Sequence, residues 1–203
     1  MPLDLAELLD PAHTAVVTSE CQNGVIGAES VLPELAELAA LAVVPNGAQL
    51  CAVARLAGVP VVHCVAGRRP DDRGSNHNAR LFGALLRLPR MDLGTHATEV
   101  IGEFAVSPED LVLSRMHGLN PMAGTDLDPV LRNLGVSTVV VVGVSVNVAV
   151  TNLVMDAVNL GYQVVLARDA VAGIPAAYAE SVIDNTLALL ATVLTTAEIV
   201  AHW

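Results

Sequence analysis

The chain contains no lysine; all ten of its cations are arginines. This excludes a Schiff base and a lysine general base from its chemistry. Aromatic residues make up only 2%, so a core has to be filled by Val, Leu and Ala. Cysteine is scarce: Cys21, Cys51 and Cys64 show neither metal-ligand spacing nor a Cys-x-x-Cys pair. They read as free thiols used as small hydrophobes. No apolar run approaches the ~18 residues that span a bilayer. The start, Met1-Pro-Leu-Asp-Leu-Ala-Glu7, lacks a basic signal-peptide region, and a soluble cytoplasmic protein is the expectation. Basic stretches are missing too. The formal net charge is −11, which argues against nucleic-acid and anionic-membrane partners, since both need a basic face.

Apolar material, by contrast, is plentiful. Hydrophobic residues make up 53% of 203, enough for one domain over residues 1–203 with some left for an interface. A homodimer or homotetramer is expected. Runs of Val and Leu alternate with helical patterns. Strands are predicted at residues 14–20, 60–65, 110–114, 138–142, 162–167 and 192–195. Helices are predicted at 33–41 and 47–56, with a break near Pro45-Asn46-Gly47, and at 78–88, 125–134, 147–160 and 176–190. Continuous apolar strands separated by helices imply a three-layer α/β/α fold. Its six-stranded, mostly parallel sheet would be doubly wound and covered on both faces.

Sheets of this kind bind ligands outside the carboxyl ends of their strands. That rule selects Glu20, Cys64, residues 114–117, residues 143–147 and Arg168-Asp169. The most informative stretch is Val139-Val-Val-Val-Gly-Val-Ser-Val-Asn-Val-Ala149, a strand turning tightly into a helix. Such a turn aims helix N-terminal N–H groups at a pocket. Asn147 reads as the helix N-cap. The polar segment 67–77 is long enough to be functional, and residues 74–82 read as a lid or as part of a neighbour's pocket.

The segments Gly124-Thr-Asp-Leu-Asp128, Leu131-Arg-Asn-Leu-Gly135, residues 139–148, Met155-Asp-Ala157, Leu160-Gly-Tyr162 and Arg168-Asp-Ala-Val-Ala-Gly173 resemble the isochorismatase-like cysteine hydrolase superfamily. Val16-Val-Thr-Ser-Glu-Cys-Gln-Asn-Gly24 resembles its opening strand, which usually reads Asp-x-Gln-Asn. The likeness covers nearly the whole chain. It implies an Asp, a Lys and a Cys acting together, with a non-proline cis peptide supplying part of an oxyanion hole. Carried across, the Asp position is Glu20, the Cys position is Ala149, and the cis bond is Val144–Ser145. The Lys position falls on Arg115 if one residue is inserted after it; an ungapped count lands near Met116.

Alanine cannot be a nucleophile, so thiol catalysis at this position is excluded. The resemblance nevertheless leaves room for an enzyme, because isochorismatases proper also lack the cysteine and use an acidic residue as proton donor. The candidate catalytic residues are therefore Glu20 as general acid or base, Arg115 as a clamp for an anion, and His117 as a proton shuttle. Gln22, two residues after Glu20, is placed to orient its carboxylate. With Val144, Ser145, Asn147 and Ala149, Gln22 completes the candidate substrate-binding set. Cys64 is a further pocket candidate. His63 and His77 stand alone, without an Asp-x-His pattern, so neither a metal nor a cofactor is expected. The expectation is a cofactor-free hydrolase of a small anionic metabolite. The alternative is an inactive relative that binds a metabolite or serves as an oligomeric scaffold.

Overall fold

The computed structural model describes residues 4–203; the first three residues of the Met1–Glu7 segment lie outside the described residues. Six strands form one sheet: β1 (Thr14–Ser19), β2 (Val61–Ala66), β3 (Leu111–Arg115), β4 (Thr138–Val144), β5 (Gln163–Ala172) and β6 (Thr192–Leu194). Their order is β3-β2-β1-β4-β5-β6, and every pairing is parallel. The order runs outward in both directions from the β1/β4 pair. That is the switch point at which doubly wound sheets open a crevice.

The period-2 alternation of strands sorts the apolar residues into two cores. Val140, Val142 and Val144 of β4 face one core, with Val43, Leu50, Cys51 and Ala54 of helix Val43–Leu56. Val139 and Val141 face the other, with Leu127 and Leu131 of helix Leu127–Asn133 and Leu153, Val154 and Ala157 of helix Thr151–Asn159. Both faces are covered, as the unbroken Val runs require. Among the described residues, no single helix is long and apolar enough to cross a membrane.

Several boundaries differ from the sequence reading for local physical reasons. The break expected near residues 45–47 falls at Ala42, between helices Pro33–Leu41 and Val43–Leu56. Pro45 has no N–H, and its ring would clash with the carbonyl of Leu41 in a continuous helix. Breaking just upstream places it harmlessly in a first turn. Gly47 then sits inside the second helix because a Cβ there would lie 2.6 Å from Phe104 Cζ. The helix expected from residue 147 opens instead as a π-helical turn, Val146–Val150, before Thr151–Asn159. Strand β5 runs on to Ala172, its register against β4 shifting between Val141 and Gly143. The segment expected as a helix over 78–88 is helical only over Arg80–Leu85, and no residue of that helix is buried.

Candidate active site at the carboxyl end of the sheet

Glu20 directly follows β1, and its N–H donates to Cys64 O at 2.8 Å. Its φ of 57° is left-handed, a conformation that costs an ordinary residue about 1–3 kcal/mol and recurs at functional positions. Beside it, Gly143 of β4 has φ 117°, and a Cβ there would lie 2.2 Å from Ser19 O. A glycine is therefore required for β4 to approach the Glu20 turn.

Arg115 ends β3, in register with Ala66 of β2. Its Nη2 donates to Glu20 Oε1. The Arg115 side chain is 6% exposed and that of Glu20 is 20% exposed. Arg115 Nε and Nη1 are buried with no hydrogen-bond partner. Buried donors of this kind carry a desolvation cost that a bound acceptor would relieve.

The two residues line an open cavity of about 140 Å³. His117 lines the same cavity, as do Met116 and Gly118 of the loop after β3. Arg68, Ser75 and Asn76 of the polar segment line it too. Asn76 Oδ1 accepts from Gly118 N at 2.8 Å, tying that segment to the His117 loop. The residues of the segment therefore wall the pocket within their own chain. Helix Arg80–Leu85 and the turn after it bring Phe82, Leu85, Leu86 and Leu88 to the cavity. The sequence reading did not single out these leucines. Their signal was an apolar cluster, Leu85-Leu86-Arg-Leu88, at the end of an otherwise polar stretch.

The structure thus joins Glu20, Arg115 and His117 at one cavity, and it gives the rest of the candidate set other tasks. Gln22 does not orient Glu20. Its amide is spent on the backbone: Nε2 donates to Ala66 O at 2.8 Å and to Ala97 O at 3.1 Å, and Oε1 accepts from Ala66 N at 2.7 Å. Because Glu20 turns into the left-handed region, the two side chains do not share a strand face. Val144, Ser145, Asn147 and Ala149 form the neighbouring turn and do not line this cavity. Val144–Ser145 is cis, as the resemblance implied, and Val144 O accepts from Ser19 Oγ at 3.3 Å.

Asn147 is not an N-cap. It lies inside the π-helical turn, whose N-cap is Ser145, and its Nδ2 donates to Ile174 O. Its Oδ1 accepts from Ser145 Oγ at 3.2 Å. A Cβ at Gly173 would meet that oxygen at 2.3 Å. Asn147 therefore locks the turn to the end of β5. Arg168 and Asp169 are structural as well. Arg168 pairs with Glu180 and Asp184 at the surface, and Asp169 Oδ1 accepts from Thr196 N at 2.8 Å.

The thiols are also away from the cavity. Cys64 is buried, and desolvation pushes it up to about 12. Cys51 is likewise pushed to about 12 by burial, and burial raises Cys21 well above the ordinary thiol value. A thiolate is the nucleophilic form, so none of the three is poised to attack.

His63, unremarkable in the sequence, is fully buried. Its Nδ1 lies 2.9 Å from Thr18 Oγ1. Its Nε2 is 3.4 Å from Asp110 Oδ2, without the alignment of a hydrogen bond. Asp110 is held by Arg55 through Nε at 3.1 Å and Nη2 at 2.7 Å. Burial opposes ionisation of Asp110, but Arg55 and the Ser107 N–H outweigh it and hold its pKa below the ordinary carboxylate value. Desolvation lowers that of His63 despite the nearby Asp110. Among the described residues, no group of three or more His, Cys, Asp or Glu is arranged to hold a metal ion.

The comparisons with known proteins agree with this architecture. The Isochorismatase domain profile matches residues 14–198. The ureidoacrylate amidohydrolase RutB of Agrobacterium fabrum is 28% identical over 177 residues, covering 80% of this chain and 77% of the relative. The N-carbamoylsarcosine amidase of Thermoplasma acidophilum superposes with a TM-score of 0.72 at 27% identity, over 91% of this chain and 96% of that one. A cysteine hydrolase of Pseudomonas syringae pv. phaseolicola shares the fold, with a TM-score of 0.82 at 24% identity, over 100% of this chain and 94% of that one. The chain belongs to the isochorismatase-like hydrolase family.

Proposed function

We propose that this chain is a cofactor-free hydrolase of a small anionic metabolite that works without a cysteine nucleophile, using Glu20 as general acid and base. The observation that carries the reading is the Glu20–Arg115 pair lining an open cavity, with Arg115 Nε and Nη1 unspent. An anionic group of the substrate takes those donors. Glu20 has one oxygen on Arg115; the other accepts a proton from water, whose oxygen attacks the scissile centre. The same carboxyl then returns the proton to the leaving atom. Exposed His117 exchanges protons with solvent. The absence of a thiol route supports the reading: Ala149 stands at the family's cysteine position, and burial keeps Cys21, Cys51 and Cys64 protonated. Two relatives named as an amidohydrolase and an amidase make a carbon–nitrogen bond a reasonable target. The apolar surplus supports assembly as a homodimer or homotetramer.

The test is Glu20→Gln, assayed on a panel of N-carbamoyl acids, N-acyl acids and vinyl-ether acids. Turnover should fall at least roughly 100-fold while the circular-dichroism spectrum of the folded chain is retained. Unchanged turnover overturns the mechanism. A second reading is an inactive relative that binds a metabolite or acts as an oligomeric scaffold. It is favoured by the direct bond between Glu20 and Arg115, and any Glu20-dependent turnover removes it.

A further inference from the structure

Helix Arg80–Leu85 poses a packing problem. None of its residues is buried. Phe82, Leu85, Leu86 and Leu88 belong to neither hydrophobic core, yet all four line the cavity. Phe82 is one of only two phenylalanines in the chain. Leu32 and Met91 line the cavity too, packed against the first core.

Hydrogen bonds fix the segments that carry these residues. Arg90 bonds Asp72 at 3.0 Å, Asp92 at 2.9 Å and Arg69 O at 2.8 Å, and Asn76 holds Gly118. An apolar lining left in contact with water forgoes the favourable burial that such side chains ordinarily gain. Two residues that line the same cavity also carry buried polar atoms without a hydrogen-bond partner: Arg115 Nε and Nη1, and Ser75 Oγ. The cavity therefore combines an ion pair with spare hydrogen-bonding groups, Glu20, Arg115 and Ser75, and an apolar lining from Phe82, Leu85, Leu86 and Leu88.

We propose that its ligand is an amphipathic acid, with a carboxylate at Arg115 and Ser75 and an apolar body of several carbons against Phe82, Leu85, Leu86 and Leu88. This rests on the reading of the cavity as the active site, and it assigns the substrate class. A short polar acid would satisfy Arg115 and leave the leucine wall wet. An apolar molecule without the acid would cover the wall and leave the Arg115 donors unpaired. Only a molecule with both ends satisfies both observations.

Calorimetric titration of the full chain with sodium acetate, butyrate, hexanoate and octanoate tests this. Affinity should rise roughly three- to fourfold per methylene, on the order of 100-fold from butyrate to octanoate. Octan-1-ol should bind far more weakly than octanoate, and Arg115→Met should abolish that preference. The variants Phe82→Ser and Leu85→Ser alter residues outside both cores, so their melting curves should match the parent while the chain-length dependence flattens. Affinity independent of chain length overturns the proposal, as does equal binding of octanol and octanoate or an unchanged series in the serine variants. The two readings can fail separately. Glu20-dependent turnover of short acids with no chain-length effect overturns the amphipathic ligand and keeps the hydrolase. Chain-length-dependent octanoate binding without Glu20-dependent turnover of N-octanoyl amino acids keeps the ligand class and overturns the hydrolase.

Discussion

Replacing Gln22 by leucine would test how the site is held together. The side chain is fully buried, and leucine fills a similar volume, so the packing term is small. What is lost is three hydrogen bonds, to Ala66 O, Ala97 O and Ala66 N. Leucine offers no partner to these backbone groups. A buried orphan costs about 1–3 kcal/mol, and a made bond is worth about 1 kcal/mol net, so the loss should be about 3–5 kcal/mol. A domain of this size shifts by roughly 2–4 °C per kcal/mol, which puts the expected fall in Tm at about 6–20 °C. The damage should also be localised. Ala66 pairs with Arg115 across β2 and β3, and Gly67 N donates to Arg115 O at 3.0 Å. Loosening Ala66 therefore loosens Arg115. Thermal unfolding by circular dichroism gives the first number, and hydrogen exchange at the Ala66 amide gives the second. A Tm within about 2 °C of the parent, or unchanged protection at Ala66, would refute the assignment of Gln22 as a backbone clamp. A variant of parental stability with weakened substrate binding would return it to the substrate-contact role expected from the sequence.

Other outcomes follow from the same geometry. The folded state keeps His63 neutral below the ordinary 6.5, whereas the unfolded chain protonates there. The unfolded state thus binds more protons, and the urea midpoint should drop as pH falls below about 6.5; His63→Gln should flatten that limb. Asp110 has the opposite charge type but the same acid direction: its stabilisation is present above 3.8 and is lost as pH falls below that value, giving a second limb. Under native conditions iodoacetamide should leave all three cysteines unlabelled, against three adducts in denaturant; rapid native labelling of Cys64 would contradict its burial. Gly143→Ala should cost at least about 3 kcal/mol, since the new Cβ would sit 2.2 Å from Ser19 O on a backbone of φ 117°. A smaller loss in chemical denaturation would mean the Glu20 turn can yield.

The Val runs made the sheet legible, because a strand buried on both faces has few compositions open to it. The strand-end rule found Glu20, Arg115 and His117 for a topological reason, the switch point beside β1. It also selected Arg168 and Asp169, since position at a strand end does not say whether a side chain turns toward a cavity or a neighbouring helix. Gln22 was misread because alternation holds only while the chain stays extended, and Glu20 at φ 57° breaks it. The His63 network was invisible because its partner Thr18 lies 45 residues away. The leucine wall was overlooked for the converse reason. Its residues bury nothing in the folded chain, and an apolar patch whose partner is a ligand has no periodic signature.

The pairing of Glu20 with Arg115 follows from where their strands lie. Glu20 follows β1 and Arg115 ends β3, with β2 between them. Two strand spacings separate the backbones by about 10 Å. Shorter Asp and Lys side chains would leave a gap at these positions, whereas Glu and Arg close it directly. Each side chain is the longer member of its charge class. The result is an ion pair that forms without a substrate. A substrate must then compete with Glu20 for Arg115 or take the donors Glu20 leaves free. Nε and Nη1 are those donors, so binding does not have to break the pair. Glu20 can hold its position on Arg115 while its second oxygen handles the proton. That division of the guanidinium requires arginine, because an ammonium has no second edge to offer.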